Sequence, residues 1–113
     1  MDKVRIELPI RPLSVNQAWA GRRFNTPAKD QFERIVGLLL PKIHIPGPFY
    51  RVAYDFHLVY FATTDYDSGI KVLQDCLVKK KIITDDKHIV EARIRKFKAD
   101  KDSISIEIEG VTL

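Results

Sequence analysis

Between Tyr50 and Tyr60 every second residue is large and apolar: Tyr50, Val52, Tyr54, Phe56, Leu58 and Tyr60, set against Arg51, Asp55 and His57. Successive side chains of a strand point to opposite sides of a sheet, so this stretch predicts a strand with one buried and one polar face. On that reading His57 is an exposed or cross-strand histidine. The same period recurs in residues 3–10 (Val4, Ile6, Leu8 and Ile10 against Lys3, Arg5 and Glu7), 89–97 (Val90, Ala92 and Ile94) and 103–109 (Ile104, Ile106 and Ile108). Strands of this kind need a packed layer on one side and tolerate water on the other. Pro9 suits an edge strand or a strand end.

The covering layer is expected from two amphipathic helices. Thr26-Pro27 is a good helix start, and Ala28, Phe32, Ile35, Val36, Leu39 and Leu40 then recur at helical spacing until Pro41. A second helix over about 68–80 presents Ile70, Leu73, Leu77 and Val78 to a core. Pro46-Gly47-Pro48 marks a loop, and Ile82-Ile83 a short buried piece. The order β-α-β-α-β-β predicts an α+β fold: one domain over 1–113, with a small mixed or antiparallel four-stranded sheet and both helices on one face. Ala99-Asp100-Lys101-Asp102 is short enough to join the last two strands as a hairpin. The other sheet face would carry Arg5, Arg51, Arg93 and Arg95, and is expected to be solvated or to meet a partner or DNA.

Composition narrows the class. Hydrophobic residues make up 45% of the 113 and charged residues 30%, which suits a folded domain and excludes a disordered tail. No apolar run approaches the roughly 18 residues a membrane helix needs, and the alternating pattern begins at once after Met1-Asp2, so no signal peptide is expected. The single cysteine, Cys76, rules out an internal disulfide and falls in the apolar helix run, where packing is its expected role. A cytoplasmic location fits. The net charge is +4, yet Asp65, Asp67, Asp75, Asp85 and Asp86 concentrate acid in one segment, so the rest of the chain is more basic than the total suggests. A basic surface with a local acidic hole suits an enzyme that holds a polyanion against metal ions.

That acidic segment is the candidate site. Asp65 and Asp67 sit two apart and point the same way on an extended backbone. Asp67, Lys71 and Asp75 follow at intervals of four and form one stripe on a helix, and Asp85-Asp86 closes the segment. Carboxylates gathered around one helix repel unless a cation joins them. Magnesium takes oxygen ligands, commonly one or two carboxylates with waters and substrate phosphate oxygens; Asp65, Asp67 and one of Asp85 or Asp86 meet that need. The metal would activate a water and stabilise charge at phosphorus, with Lys71 in reach of a phosphate. The plainer reading makes Asp67–Lys71 an ordinary helix ion pair and Asp85-Asp86 a turn or cap. Within residues 11–26, Asn16, Trp19, Arg22 and Arg23 mark either a solvated loop with Trp19 tucked beneath it or a DNA-contacting arm with arginines on phosphates. Lys79-Lys80-Lys81 is expected to be a solvated helix end that complements the dipole.

Taken together, Asp65-Tyr66-Asp67-Ser68, Lys71, Asp75-Cys76-Leu77 and Asp85-Asp86, with Pro12-Leu13-Ser14-Val15-Asn16 and Trp19 upstream, resemble the RusA-type Holliday junction resolvases of bacteria and their phages. The resemblance covers most of the chain and extends to the order of elements. It implies a homodimeric, magnesium-dependent endonuclease (manganese being the alternative ion) that cuts four-way DNA junctions symmetrically in recombination and repair. It assigns Asp65, Asp67 and Asp86, with Asp85 beside it, as the acidic site residues and metal ligands, and Lys71 as the lysine needed for cleavage. Two positions depart from the family pattern. Ser68 stands where asparagine is usual, and Tyr60-Phe61-Ala62-Thr63-Thr64 replaces a basic run. Phe61 is expected either as a wedge against unstacked bases or as a core or interface aromatic. The departures leave a rival, a relative that binds branched DNA without cutting it. A structural protein with ion-paired carboxylates is a third reading.

Overall fold

The alternating stretches fold into one sheet, and the helical stretches pack against a single side of it. The computed structural model describes residues 3–13, 19–20, 24–25, 27–64 and 69–113. In chain order the elements are β1 (Lys3–Leu8), β2 (Trp19–Ala20), β3 (Phe24–Asn25), α1 (Pro27–Leu39), β4 (Phe49–Leu58), α2 (Ile70–Lys79), a 3-10 turn (Asp86–His88), β5 (Ile89–Lys98) and β6 (Ser103–Val111). The main sheet has four strands in the order β1-β6-β4-β5 and is mixed. β6 runs antiparallel to both β1 and β4, whereas β4 and β5 are parallel. A parallel pair needs a crossover, and α2 supplies it. This is the α+β architecture that the periodicities predict, with β1 at an edge as Pro9 suggests. No helix among the described residues is long and apolar enough to cross a membrane.

The predicted β5–β6 hairpin does not form, because β4 lies between the two strands. The reason is burial. β4 contributes Tyr50, Tyr54, Phe56 and Leu58, all essentially inaccessible, and so takes a central place, while the largely exposed β5 goes to the edge. The link Ala99–Asp102 therefore steps over the end of β4, a span of about 9.6 Å for two strand spacings. It is fastened there twice: Ala99 N–H donates to Leu58 O at 3.0 Å, and Asp102 Oδ1 accepts from Val59 N–H at 2.9 Å. The predicted long loop 11–26 also differs from expectation, since it holds a small antiparallel ladder pairing Trp19 with Asn25 and Ala20 with Phe24. The Thr26 cap lies outside the described residues; α1 itself begins at Pro27 as expected.

One core fills the space between sheet and helices. Ile6, Leu8, Tyr54, Phe56, Ile104, Ile106 and Ile108 come from the strands, Phe32 and Val36 from α1, and Val72, Leu73, Cys76 and Leu77 from α2. Cys76 is a packed thiol whose pKa burial pushes up to about 11. Lys79 and Lys80 are not simply a solvated helix end. Lys79 Nζ meets Glu33 Oε2 at 2.5 Å and Lys80 Nζ donates to Gly37 O at 2.7 Å, tying α2 to α1.

The open face is not a basic surface. Arg5, Arg51, Arg93 and Arg95 are there and exposed, but Arg5 pairs with Glu7, Arg51 with Glu91 and Glu109, and Lys3 with Glu107. Arg95 grips Asp55 through two bonds of 3.0 Å. His57 stacks on Phe97 with ring centroids 5.3 Å apart. A face whose charges are mostly met by opposite ones gives little long-range pull on a polyanion.

Candidate active site

The first turn of α2 and the turn before β5 converge. Gly69 precedes α2 at φ +73°, a left-handed conformation that favours glycine, and a Cβ on it would come within 2.4 Å of Leu13 O. Backbone crowding thus fixes where α2 starts. Lys71, one residue into the helix, donates to Asp86 Oδ2 at 2.7 Å and lies 3.3 Å from Asp75 Oδ1. Its bond to Asp86, then that to Asp75, raises its pKa. The hydrogen bond from Lys71, above all, holds the Asp86 carboxyl below its ordinary value. A lysine has three N–H donors, so two carboxylates leave one for a phosphate oxygen.

The acidic pair before β5 divides its work. Asp85 caps the 3-10 turn, accepting from Lys87 N–H at 3.1 Å, whereas Asp86 faces Lys71. The turn is braced by Thr84 Oγ1, 2.8 Å from His88 Nδ1, and by the edge contact of His88 on Phe49. Beneath lies Tyr54. Its hydroxyl is buried with no hydrogen-bond partner among the described residues. Burial pushes its pKa up, Gln74 works against that, and the charge of Asp86 adds to it.

The loop leaving β4 carries aromatic surface. Tyr60 is 60% exposed and Phe61 36%, with Val59 beside them. Phe61 is thus a surface residue rather than a core one. The Arg11 guanidinium lies 5.5 Å from the Tyr60 ring centre and the Lys96 ammonium 4.8 Å from that of Phe61. These contacts of Lys96, Arg11 and Tyr60 escape sequence reasoning. Only Lys96 leaves a signal there, a cation where the alternation Val90, Ala92, Ile94 calls for an apolar side chain.

Of the predicted site residues, Lys71 and Asp86 are brought together, Asp85 stands next to them in a capping role, and Phe61 lies on the loop. Asp65, Asp67, Asn16, Arg22 and Arg23 lie outside the described residues. Among the described residues no three His, Cys, Asp or Glu side chains form a metal-holding group.

The family model of endodeoxyribonuclease RusA matches residues 15–109. The chain belongs to the RusA endodeoxyribonuclease family. RusA enzymes are hydrolases that act on branched DNA and resolve Holliday junctions. The match spans the ladder β2–β3, both helices, the acidic segment and most of β6, so every predicted site residue falls within it. No curated protein matches the chain.

Proposed function

We propose that this RusA-family chain is a magnesium-dependent endonuclease that resolves four-way DNA junctions by symmetric phosphodiester hydrolysis, acting as a homodimer in recombination and repair in the cytoplasm of a bacterium or phage-infected host. The observation that carries this reading is the meeting of Lys71, Asp75 and Asp86 at the start of α2, directly after Asp65 and Asp67 in the chain.

The donors around that point suit a hard cation. They are carboxylate oxygens, Asp86 already holds one positive charge, and the buried Tyr54 hydroxyl, which feels the Asp86 charge, lacks a partner among the described residues. Asp65, Asp67 and Asp86 would hold the ion, with manganese as the alternative to magnesium and Asp85 as cap. When bound, such an ion supplies an activated water and neutralises charge at phosphorus. The chain's own part is to orient. Lys71 keeps one donor for a phosphate oxygen while its other two hold Asp75 and Asp86 in place. Asn16, Arg22 and Arg23 would contact the DNA backbone, and Phe61 would lie against unstacked bases at the junction centre. A two-fold dimer would present one site to each of two equivalent strands.

The test is a synthetic four-way junction incubated with the protein and magnesium or manganese, alongside Asp67→Asn. Paired symmetric nicks from the parent and none from the variant are expected, with a dimer mass in sedimentation. Tight junction binding with no product in any metal or sequence context would favour the non-cleaving relative.

A further inference from the structure

The geometry points to Lys96 as a positioning residue that fixes the loop feeding the acidic site. Lys96 is on β5, opposite Phe56 of β4, on the side of the sheet that faces the helices. Its ammonium donates to Phe61 O at 2.6 Å and to Thr64 O at 2.8 Å, and lies over the Phe61 ring. One cation thus ties an edge strand to both ends of a short loop.

The loop is already wound on itself. The Thr63 and Thr64 amides and the Thr64 hydroxyl all donate to Tyr60 O, at 3.3, 3.2 and 2.8 Å. Those bonds give the turn its shape but do not anchor it to the sheet. Lys96 does, and it holds Thr64, the residue before Asp65. Consecutive Cα atoms are 3.8 Å apart, so pinning Thr64 limits where Asp65 begins. Two of the three Lys96 donors go to backbone carbonyls, which makes this a structural cation first and a DNA cation second.

This inference rests on the nuclease reading. The experiment uses the full chain with Lys96→Met, which keeps the apolar stem, and Lys96→Arg, which keeps a charged donor able to reach carbonyls. Four quantities are read: junction affinity and its salt dependence, kcat against KM, Mn2+ binding to the protein alone by electron paramagnetic resonance, and amide exchange at residues 61–64. Lys96→Met should lower kcat by on the order of a hundredfold, as a small misplacement of a catalytic group does. It should also weaken Mn2+ binding and speed exchange at 61–64, while the salt slope stays as in the parent. Lys96→Arg should restore part of the loss. The proposal is overturned if Lys96→Met matches an active parent. It is equally overturned if affinity falls with a shallower salt slope at unchanged kcat, the mark of a phosphate contact, or if every property falls with the melting temperature and Lys96→Arg rescues none. A parent that cleaves no junction removes the nuclease reading itself, an outcome separate from these.

Discussion

Lys71 Nζ and Asp86 Oδ2 meet at 2.7 Å across fifteen residues of chain, and Asp75 stands 3.3 Å from the same ammonium. The pair is exposed, so it adds little to stability. Its effect is positional: it brings the start of α2 and the turn before β5 to one point.

That contact separates the two neighbouring aspartates. Asp86→Asn should lower junction cleavage by on the order of a thousandfold, the scale seen when a charge-stabilising group is removed from a reacting centre, with the fold intact by circular dichroism. Asp85→Asn keeps a side-chain oxygen that can accept from Lys87 N–H, so it should leave stability nearly unchanged and retain most of the cleavage. Equal inactivity in the two variants would overturn this division.

Gly69 has no tolerated replacement. The left-handed backbone alone costs an alanine about 1–2 kcal/mol, and its Cβ would press into Leu13 O at 2.4 Å. Gly69→Ala should therefore lose more than about 2 kcal/mol in urea unfolding. A neutral result would mean that α2 can start elsewhere.

Lys81 is the opposite case. It sits at φ +63° just past α2, where Lys81 N–H bonds to Val78 O and Ile82 N–H to Leu77 O, at 2.9 and 3.0 Å. These are the two bonds of a helix stop usually built on glycine, with Ile82 and Leu77 packed across it. Lys81→Gly should raise stability by about 1 kcal/mol, read as a higher urea midpoint at unchanged slope.

Glu33 joins the helices, bonded by Lys29 on its own helix and by Lys79 on α2. Burial raises its pKa, but the hydrogen bonds from Lys29 and Lys79 outweigh this and leave it below its ordinary 4.5. A depressed carboxylate adds stability above its unfolded pKa and loses it as pH falls through the folded value. Glu33→Gln should thus cost about 1–3 kcal/mol at pH 7, and the gap between variant and parent should close as pH falls below about 4.5. A gap independent of pH would refute the electrostatic account.

Local periodicity determines much of this protein. The alternations within residues 3–10, 50–60 and 103–109 set most of the sheet's core face, because side-chain direction follows from the backbone repeat. Phe32, Val36, Leu73 and Leu77 are buried as the helical spacing predicts, whereas Ile35, Leu39, Tyr60 and Val90, expected on apolar faces, are exposed. The spacing of Asp67, Lys71 and Asp75 likewise places Lys71 beside Asp75 on one helical stripe. Tertiary structure decided what no local rule contains. Burial placed β4 between β5 and β6, and backbone crowding at Gly69 set where α2 begins. A lysine at position 96 acquired its role only when strand β5 came alongside the loop at residues 61–64. Contacts of this kind join residues far apart in the chain, and their partners exist only once the layers have packed.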